Sequence, residues 1–517
     1  MYRASLHGHV TVHDIQLPQI NMSEIKHTFV STLNLLAVCG LRSLLILEHE
    51  DVFLHIVERP SLSFTTLSSK PGPRFGVPTV QEFREMWRAW DLVTLGMIPS
   101  HVLHAKPIDL RHKCLFYLGH IPTFYNILLS KLLQQPYVEP RKFTTIFERG
   151  IDPHVDDPDH CHSHSEVPER DEDWPTLSEV VRYRDRVRER VLDLYQELES
   201  GKRILSQRLA RTLTMVLEHD AFHIETLLYM IIQKASSDCS GTLPPPGIHA
   251  PVWDELVKRW DALPAPVHPS IELGPEMIVV GRDDSELDDL AADDNLDVES
   301  HEFGWDNESP SRQVEVGRFK VDFQPITVKE FYEFWVGGAD EGVSSNLPAN
   351  WVEDGGQIKV RSLYGPVPME IAGNWPMIGS FDELSVYAES KGGRIPTEPE
   401  LRLFLDRFNI GYEEGGNVGF RNWHPCPPTA GGPLDGGRGS NGGVWEWTST
   451  VFDTHDGFVG TSIFPGYSSD FFDQKHHVVL GGSYATTPRL AGRKTLRNFY
   501  QRNYRYAWTS ARVAYDV

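Results

Sequence analysis

Between Pro78 and about Lys234, apolar residues recur at intervals of three and four, the signature of amphipathic helices. Pro78-Thr79 opens the first such segment, with Phe83, Met86, Trp87, Trp90 and Val93 on one stripe. A second helix is expected over roughly Leu110 to Leu133, with Pro122 as a kink or the start of a new turn. Thr176-Leu177-Ser178-Glu179 is a capping-box pattern and predicts a third helix to about Glu199. Its apolar stripe is Val180, Tyr183, Val187, Val191, Leu192 and Leu194. The fourth runs from about Ser206 to Lys234. Four helices of this length suggest an all-α four-helix bundle, a scaffold that builds metal sites from side chains on facing helices.

The pattern then changes. Ser236 to His268 is rich in Pro and Gly and reads as a connector, and Asp283 to Glu302 reads as an acidic, solvated loop. Residues 303–517 show short apolar runs, frequent Gly and many Trp and Tyr, which suits an irregular α+β domain. The expected division is an uncharacterised segment and linker at 1–75, the bundle at 76–235, a linker at 236–270 and the α+β domain at 271–517. The first segment ends in Ser68-Ser-Lys-Pro-Gly-Pro-Arg-Phe-Gly76 and shows no glycine-rich nucleotide-binding turn.

Composition narrows the function. A chain of 517 residues is too long for one core. A formal charge of −23 argues against nucleic acid or an anionic membrane as a partner. The five cysteines show no pairing pattern, which points to a reducing compartment. The apolar run Leu33–Leu47 falls short of the ~20 residues of a membrane span and is broken by Arg42. The first residues lack the basic start of a signal peptide, so the expectation is a cytoplasmic protein.

Glu218-His-Asp-Ala-Phe-His-Ile-Glu225 carries the sharpest chemistry. His219 and His223 lie one turn apart on one helix face, a common grip on a transition metal. Glu225 is placed to orient one of them as a supporting carboxylate. Two histidines under-ligate an ion, and Phe116-Tyr-Leu-Gly-His-Ile-Pro122 offers His120 as a third, beside a glycine that permits close helix approach. His112 is its competitor. Three neutral histidines leave open positions suited to Fe(II), and a tetrahedral Zn site would accept them too. His160-Cys-His-Ser-His164 is spaced too tightly for a site on a regular element and reads as exposed loop.

Leu118-Gly-His120 and His219-Asp-Ala-Phe-His-Ile-Glu225 resemble the ligand motifs of a DinB-type domain. The C-terminal region resembles the formylglycine-generating-enzyme/sulfatase-modifying-factor fold, a C-type-lectin-like scaffold. The matching segments are Phe303-Gly-Trp-Asp-Asn-Glu308, Pro325-Ile-Thr327, Gly393-Arg-Ile-Pro-Thr-Glu398, Val444-Trp-Glu-Trp-Thr448 and Leu480-Gly-Gly-Ser483. Together the two regions resemble the ergothioneine-type sulfoxide synthases over roughly residues 78–517. Trp87-Arg-Ala-Trp-Asp91, Phe147-Glu-Arg-Gly-Ile-Asp-Pro153 and Gln501-Arg-Asn-Tyr504 are similar to the fungal branch. Fungal members usually carry an N-terminal methyltransferase that makes hercynine. None is recognised in this sequence, which leaves open a truncated gene model, a split gene, or a stand-alone synthase fed by a separate histidine methyltransferase.

That resemblance implies O₂-dependent joining of a cysteine thiol to the imidazole C2 of hercynine, with oxidation of the sulfur. The implied cofactor is Fe(II) on His120, His219 and His223, with three positions left for thiolate, imidazole and O₂. It implies a proton-donating tyrosine, for which Tyr467 is the candidate and Tyr500 and Tyr504 the runners-up. Asn498 and Tyr500 fall where family side chains hold substrate, and Phe222 and Phe499 could face its quaternary ammonium by cation–π attraction. The acidic stretch from Asp152 to Asp173 favours free cysteine over γ-glutamylcysteine. A formylglycine-generating oxidase needs a late cysteine pair, and only Cys426 lies beyond residue 239. A synthase joining sulfur at imidazole C5, and a non-catalytic binding or scaffold relative, stay open.

Overall fold

A computed structural model describes residues 44–47, 55–58, 62, 75–108, 111–149, 165–235, 240–290, 298–337, 347–433 and 435–517. Strands β1 (Leu44–Leu47) and β2 (His55–Glu58) pair antiparallel within a unit spanning Met1–Pro60. The sequence pattern gave no sign of this hairpin. The His160–His164 cluster lies outside the described residues. All that follows concerns the second unit, Ser61–Val517.

Helix α1 (Val80–Asp91) starts where Thr79 and Glu82 cap each other. The Glu82 N–H donates to Thr79 Oγ1 at 3.3 Å, and the Thr79 N–H donates to Glu82 Oε2 at 2.7 Å. Phe83, Met86, Trp87 and Trp90 are buried as the stripe requires, and the helix continues into a π-helical turn at Leu92–Gly96. Helix α2 (Cys114–Leu133) begins four residues later than expected and keeps Pro122 in its interior. It is buried on nearly every side because it packs against both α3 (Leu177–Glu199) and α4 (Gln207–Ile231). That explains its weak amphipathic pattern. Thr176 and Glu179 form the expected capping box of α3, and Ser206 caps α4 by accepting the Leu209 N–H.

The region read as a connector holds a further helix, α5 (Trp253–Asp261), whose Trp253 and Trp260 pack against Trp375 and His424. Beyond it the chain is a mixed region of small sheets and short helices. Strands β3 (Ser270–Leu273), β6 (Phe319–Asp322) and β14 (Ala514–Asp516) form one antiparallel sheet. Strands β4 (Glu276–Val280) and β5 (Arg312–Val316) form a ribbon, and β7 (Trp351–Asp354), β8 (Gln357–Val360) and β9 (Val367–Pro368) a meander. The largest sheet has the order β12 (Asn498–Gln501), β11 (His476–Gly481), β10 (Trp445–Val451), β13 (Thr509–Ser510). Its pairs are antiparallel except β10 with β13. At its centre Glu446 is buried against Arg512, whose Nε donates to Glu446 Oε2 at 2.6 Å.

Helical and sheet regions share one apolar core, continuous from Phe83 through Trp305 to Trp508. The seam is also polar. Arg211, Glu218 and Glu225 stand seven residues apart on α4, hence on one face, and each is buried against the C-terminal region. Arg211 NH1 and NH2 donate to the two Asp284 oxygens at 2.8 and 2.7 Å, and Arg211 Nε donates to Asp289 at 2.6 Å. Asp284 and Asp289 thus dock the acidic stretch expected to be solvated. The pattern misled because the partner lies on a helix some 75 residues back in the chain. Glu218 accepts from Arg489 Nε at 2.9 Å, Arg493 NH1 at 2.5 Å and Trp305 Nε1 at 2.9 Å. Among the described residues no helix is long and apolar enough to cross a membrane.

A buried carboxylate facing two guanidiniums leaves uncompensated cations when removed, whereas an exposed ion pair is nearly neutral in stability. Glu218→Ala should therefore cost on the order of 3–5 kcal/mol in urea unfolding. Asp406→Ala, which removes the exposed partner of Lys494, should cost less than about 1 kcal/mol.

Candidate metal centre

α2 and α4 bring His120, His219 and His223 together. Their candidate ligand nitrogens all lie within 4.8 Å of one another. The ring centroids are 5.2 Å apart for His120–His219, 4.8 Å for His120–His223 and 4.4 Å for His219–His223. A spacing of four on α4 places its two rings one turn apart, and α2 meets them at His120. His120 and His219 are buried, while His223 is half-buried and marks the more open side.

Two of the rings have distinct supports. His120 Nδ1 lies 2.8 Å from the Phe147 carbonyl oxygen. A carbonyl only accepts, so Nδ1 carries the proton and Nε2 presents its lone pair. Gly119 makes this possible, since a Cβ there would meet the Phe147 ring at 2.6 Å. His219 is stacked on Phe124 with centroids 3.6 Å apart and planes 7° from parallel. Phe124 follows His120 by one turn and escaped the sequence reading, although the i+4 position on a ligand-bearing face was the available signal.

The electrostatics favour neutral imidazoles. Burial lowers His120 to about 4, against a raising effect of the Phe147 carbonyl. Burial, then the facing histidines, holds His219 well below the usual histidine value, and burial, His120 and Arg111 do the same for His223. Nδ1 of His219 and of His223 is buried with no hydrogen-bond partner. Neutral, converging and partly orphaned nitrogens fit a divalent transition ion, which needs deprotonated ligands. His112, the rival ligand, lies outside the trio, stacked on Phe116 at 4.0 Å with burial lowering it to about 3.

Glu225 takes a different place from the one expected. Its two oxygens accept from Trp445 Nε1 and Thr486 Oγ1, both at 2.6 Å, so it anchors the sheet region rather than a histidine. The reason is geometric: it shares the face of Glu218 and lies about 120° around the helix from His219 and about 160° from His223. Burial raises it to about 7, with Thr486, Ser483 and Trp445 pulling the other way. The orienting acceptor for the cluster is instead the Phe147 carbonyl.

The C-terminal region supplies an aromatic wall. Phe222 meets Trp305 at 6.1 Å, Trp305 stacks on Tyr467 at 4.1 Å, and Tyr467 meets Phe499 at 6.2 Å. Burial, with Asp306, Glu308 and Glu218 nearby, keeps the Tyr467 hydroxyl protonated far above the usual tyrosine range. Tyr467 also contacts Phe464, which meets Phe124 behind His219. Strand alternation on β12 separates the other candidates. Phe499 stacks on Phe452 at 4.0 Å, whereas Tyr500 meets Tyr229 of α4 and Trp447. Asn498 Nδ2 donates to the Tyr500 hydroxyl at 3.3 Å. Trp305 and Arg111, whose Cζ sits 5.4 Å over the Tyr504 ring, were not singled out in the sequence, being distant from any motif histidine in type or position.

Residues 82–227 match the DinB superfamily. The chain is 36% identical to "Ergothioneine biosynthesis protein 1" of Neurospora crassa, over 90% of its own length and 60% of that protein's. It is 34% identical to the protein of the same name from Schizosaccharomyces pombe, over 84% of this chain and 56% of that one. A "Hercynine oxygenase" of Mycobacterium tuberculosis is 27% identical, with 43% of this chain and 58% of that protein covered. The chain thus spans a little over half the length of the curated relatives it matches. With a DinB domain bearing the three histidines, the chain is similar over most of its own residues to the ergothioneine biosynthesis proteins of these two fungi.

Proposed function

We propose that the protein is a cytoplasmic non-haem Fe(II) sulfoxide synthase that joins cysteine sulfur to the imidazole C2 of hercynine. The observation that carries this is the buried, neutral three-histidine cluster facing an aromatic wall, in a homologue of ergothioneine biosynthesis proteins. In the net reaction one thiol, one imidazole C2–H and one O₂ give the C–S bond, one S=O group and one water. Four electrons leave the sulfur and carbon and all reduce O₂. His120, His219 and His223 would hold the ferrous ion, which would supply O₂ activation and favour the deprotonated thiol.

The remaining steps fall to this chain's own groups. His120 keeps its lone pair on the site because Phe147 fixes its tautomer, and Phe124 fixes the plane of His219. Phe222 and Trp305 offer ring faces to the trimethylammonium group, with Phe499 adjoining through Tyr467. Asn498 and Tyr500 hold polar groups of the substrate. Tyr467, protonated at neutral pH, delivers a proton. In this reading residues 76–235 are a DinB-like four-helix bundle and 271–517 a C-type-lectin-like domain of the sulfatase-modifying-factor type, joined by 236–270 and preceded by a distinct segment at 1–75.

Anaerobic loading with Fe(II), then exposure to O₂ with hercynine and cysteine, should yield hercynylcysteine sulfoxide by mass spectrometry. No product and no O₂ consumption would remove the enzyme reading. His120→Ala should abolish both iron binding and turnover, while His112→Ala should keep the iron. Gly119→Ala forces the Phe147 ring away and loosens the carbonyl that orients His120. Its Fe(II) affinity, read by titration, should fall roughly 10–100-fold, the usual effect of losing an orienting partner.

A further inference from the structure

Apart from the histidines, a pocket of about 400 Å³ opens between β4, β5, the end of β10 and the start of the helix Glu398–Phe408. Its lining includes Arg312, Thr450, Asp453, His455, Glu398 and Arg497. Glu398 is fully engaged. Its Oε1 accepts from Arg402 NH2 at 2.8 Å and Arg497 Nε at 3.0 Å, and its Oε2 accepts from Arg497 NH2 at 3.0 Å. Both arginines are therefore spent on one carboxylate.

Arg312 is not. Among the described residues this half-buried side chain has no ion-pair partner, and its NH1 is buried with no hydrogen-bond partner. Burial and the like charge of Arg497 both act against its charge, and neighbouring Glu398 is already shared. A second group is bare in the opposite sense. His455 Nε2 lies 2.9 Å from the Ser309 carbonyl, so Nε2 carries the proton and Nδ1 is a lone-pair acceptor. That Nδ1 is buried without a partner. Buried polar groups are paired in native proteins, and each exception asks for a missing partner.

The lining charges sum to zero, with Arg312 and Arg497 against Glu398 and Asp453. A dianion such as phosphate would gain one guanidinium and face two carboxylates. A ligand with its own anionic and donor ends meets both bare groups without adding net charge. We propose that this pocket binds a small α-amino acid, its carboxylate on Arg312 and its ammonium toward His455 Nδ1 and Asp453. The volume leaves room for a side chain beyond the zwitterionic head. The site is independent of the histidine cluster.

Isothermal titration of the full chain with L-alanine tests it, with acetate and inorganic phosphate as comparators. L-Alanine should bind saturably and at least tenfold tighter than either comparator, and Arg312→Gln should weaken it at least tenfold. His455→Phe should weaken L-alanine while leaving acetate binding unchanged, a readout that does not depend on the arginine variant folding. Absence of saturable L-alanine binding, preference for phosphate, or equal loss of acetate and L-alanine in His455→Phe would each overturn the assignment.

Discussion

Buried polar groups on α4 must be partnered, and the partnering fixes where the histidines stand. Arg211, Glu218 and Glu225 repeat every seven residues and each finds its partners on the C-terminal region. Desolvated charges tolerate little displacement, because a lost partner leaves a buried ion with no water to replace it. The helix is thereby locked in rotation and in height. His219 and His223 lie on the adjoining face, so the same lock aims them at His120 and turns Phe222 toward Trp305. The docking seam and the histidine cluster are two sides of one helix.

That arrangement explains why a single core runs through both regions. In the proposed site the helical part would supply the three histidines and the sheet part most of the aromatic wall, so that neither would make a substrate site alone. Preorganisation comes from groups with no redox role: a backbone carbonyl behind His120, a phenylalanine ring under His219, and a glycine that lets two segments close up. Such supports hold ligand geometry without adding charge beside the ion.

The helices and the convergence of the three histidines were legible in the sequence because they obey local rules. Two capping boxes and an i, i+4 histidine pair are written within a few residues of each other, and α1 and α3 showed clear stripes. The misreadings came from distant partners. Asp284 and Asp289 looked solvated until Arg211 met them, and Glu225 looked like a ligand's companion until Trp445 and Thr486 claimed it. On β12, the three neighbours Asn498, Phe499 and Tyr500 read as one substrate wall, but strand alternation turns Phe499 to one side and Tyr500 to the other. Trp305 could not have been chosen from its segment alone, since its importance lies in stacking on Tyr467 while bonding Glu218.

The most direct test of the central claim is the anomalous diffraction of crystals loaded with Fe(II) under anaerobic conditions. The account predicts one iron peak, roughly 2.1 Å from His120 Nε2 and bonded to His219 and His223. Iron elsewhere, or a His120 ring bound through Nδ1 with the Phe147 hydrogen bond broken, would contradict it.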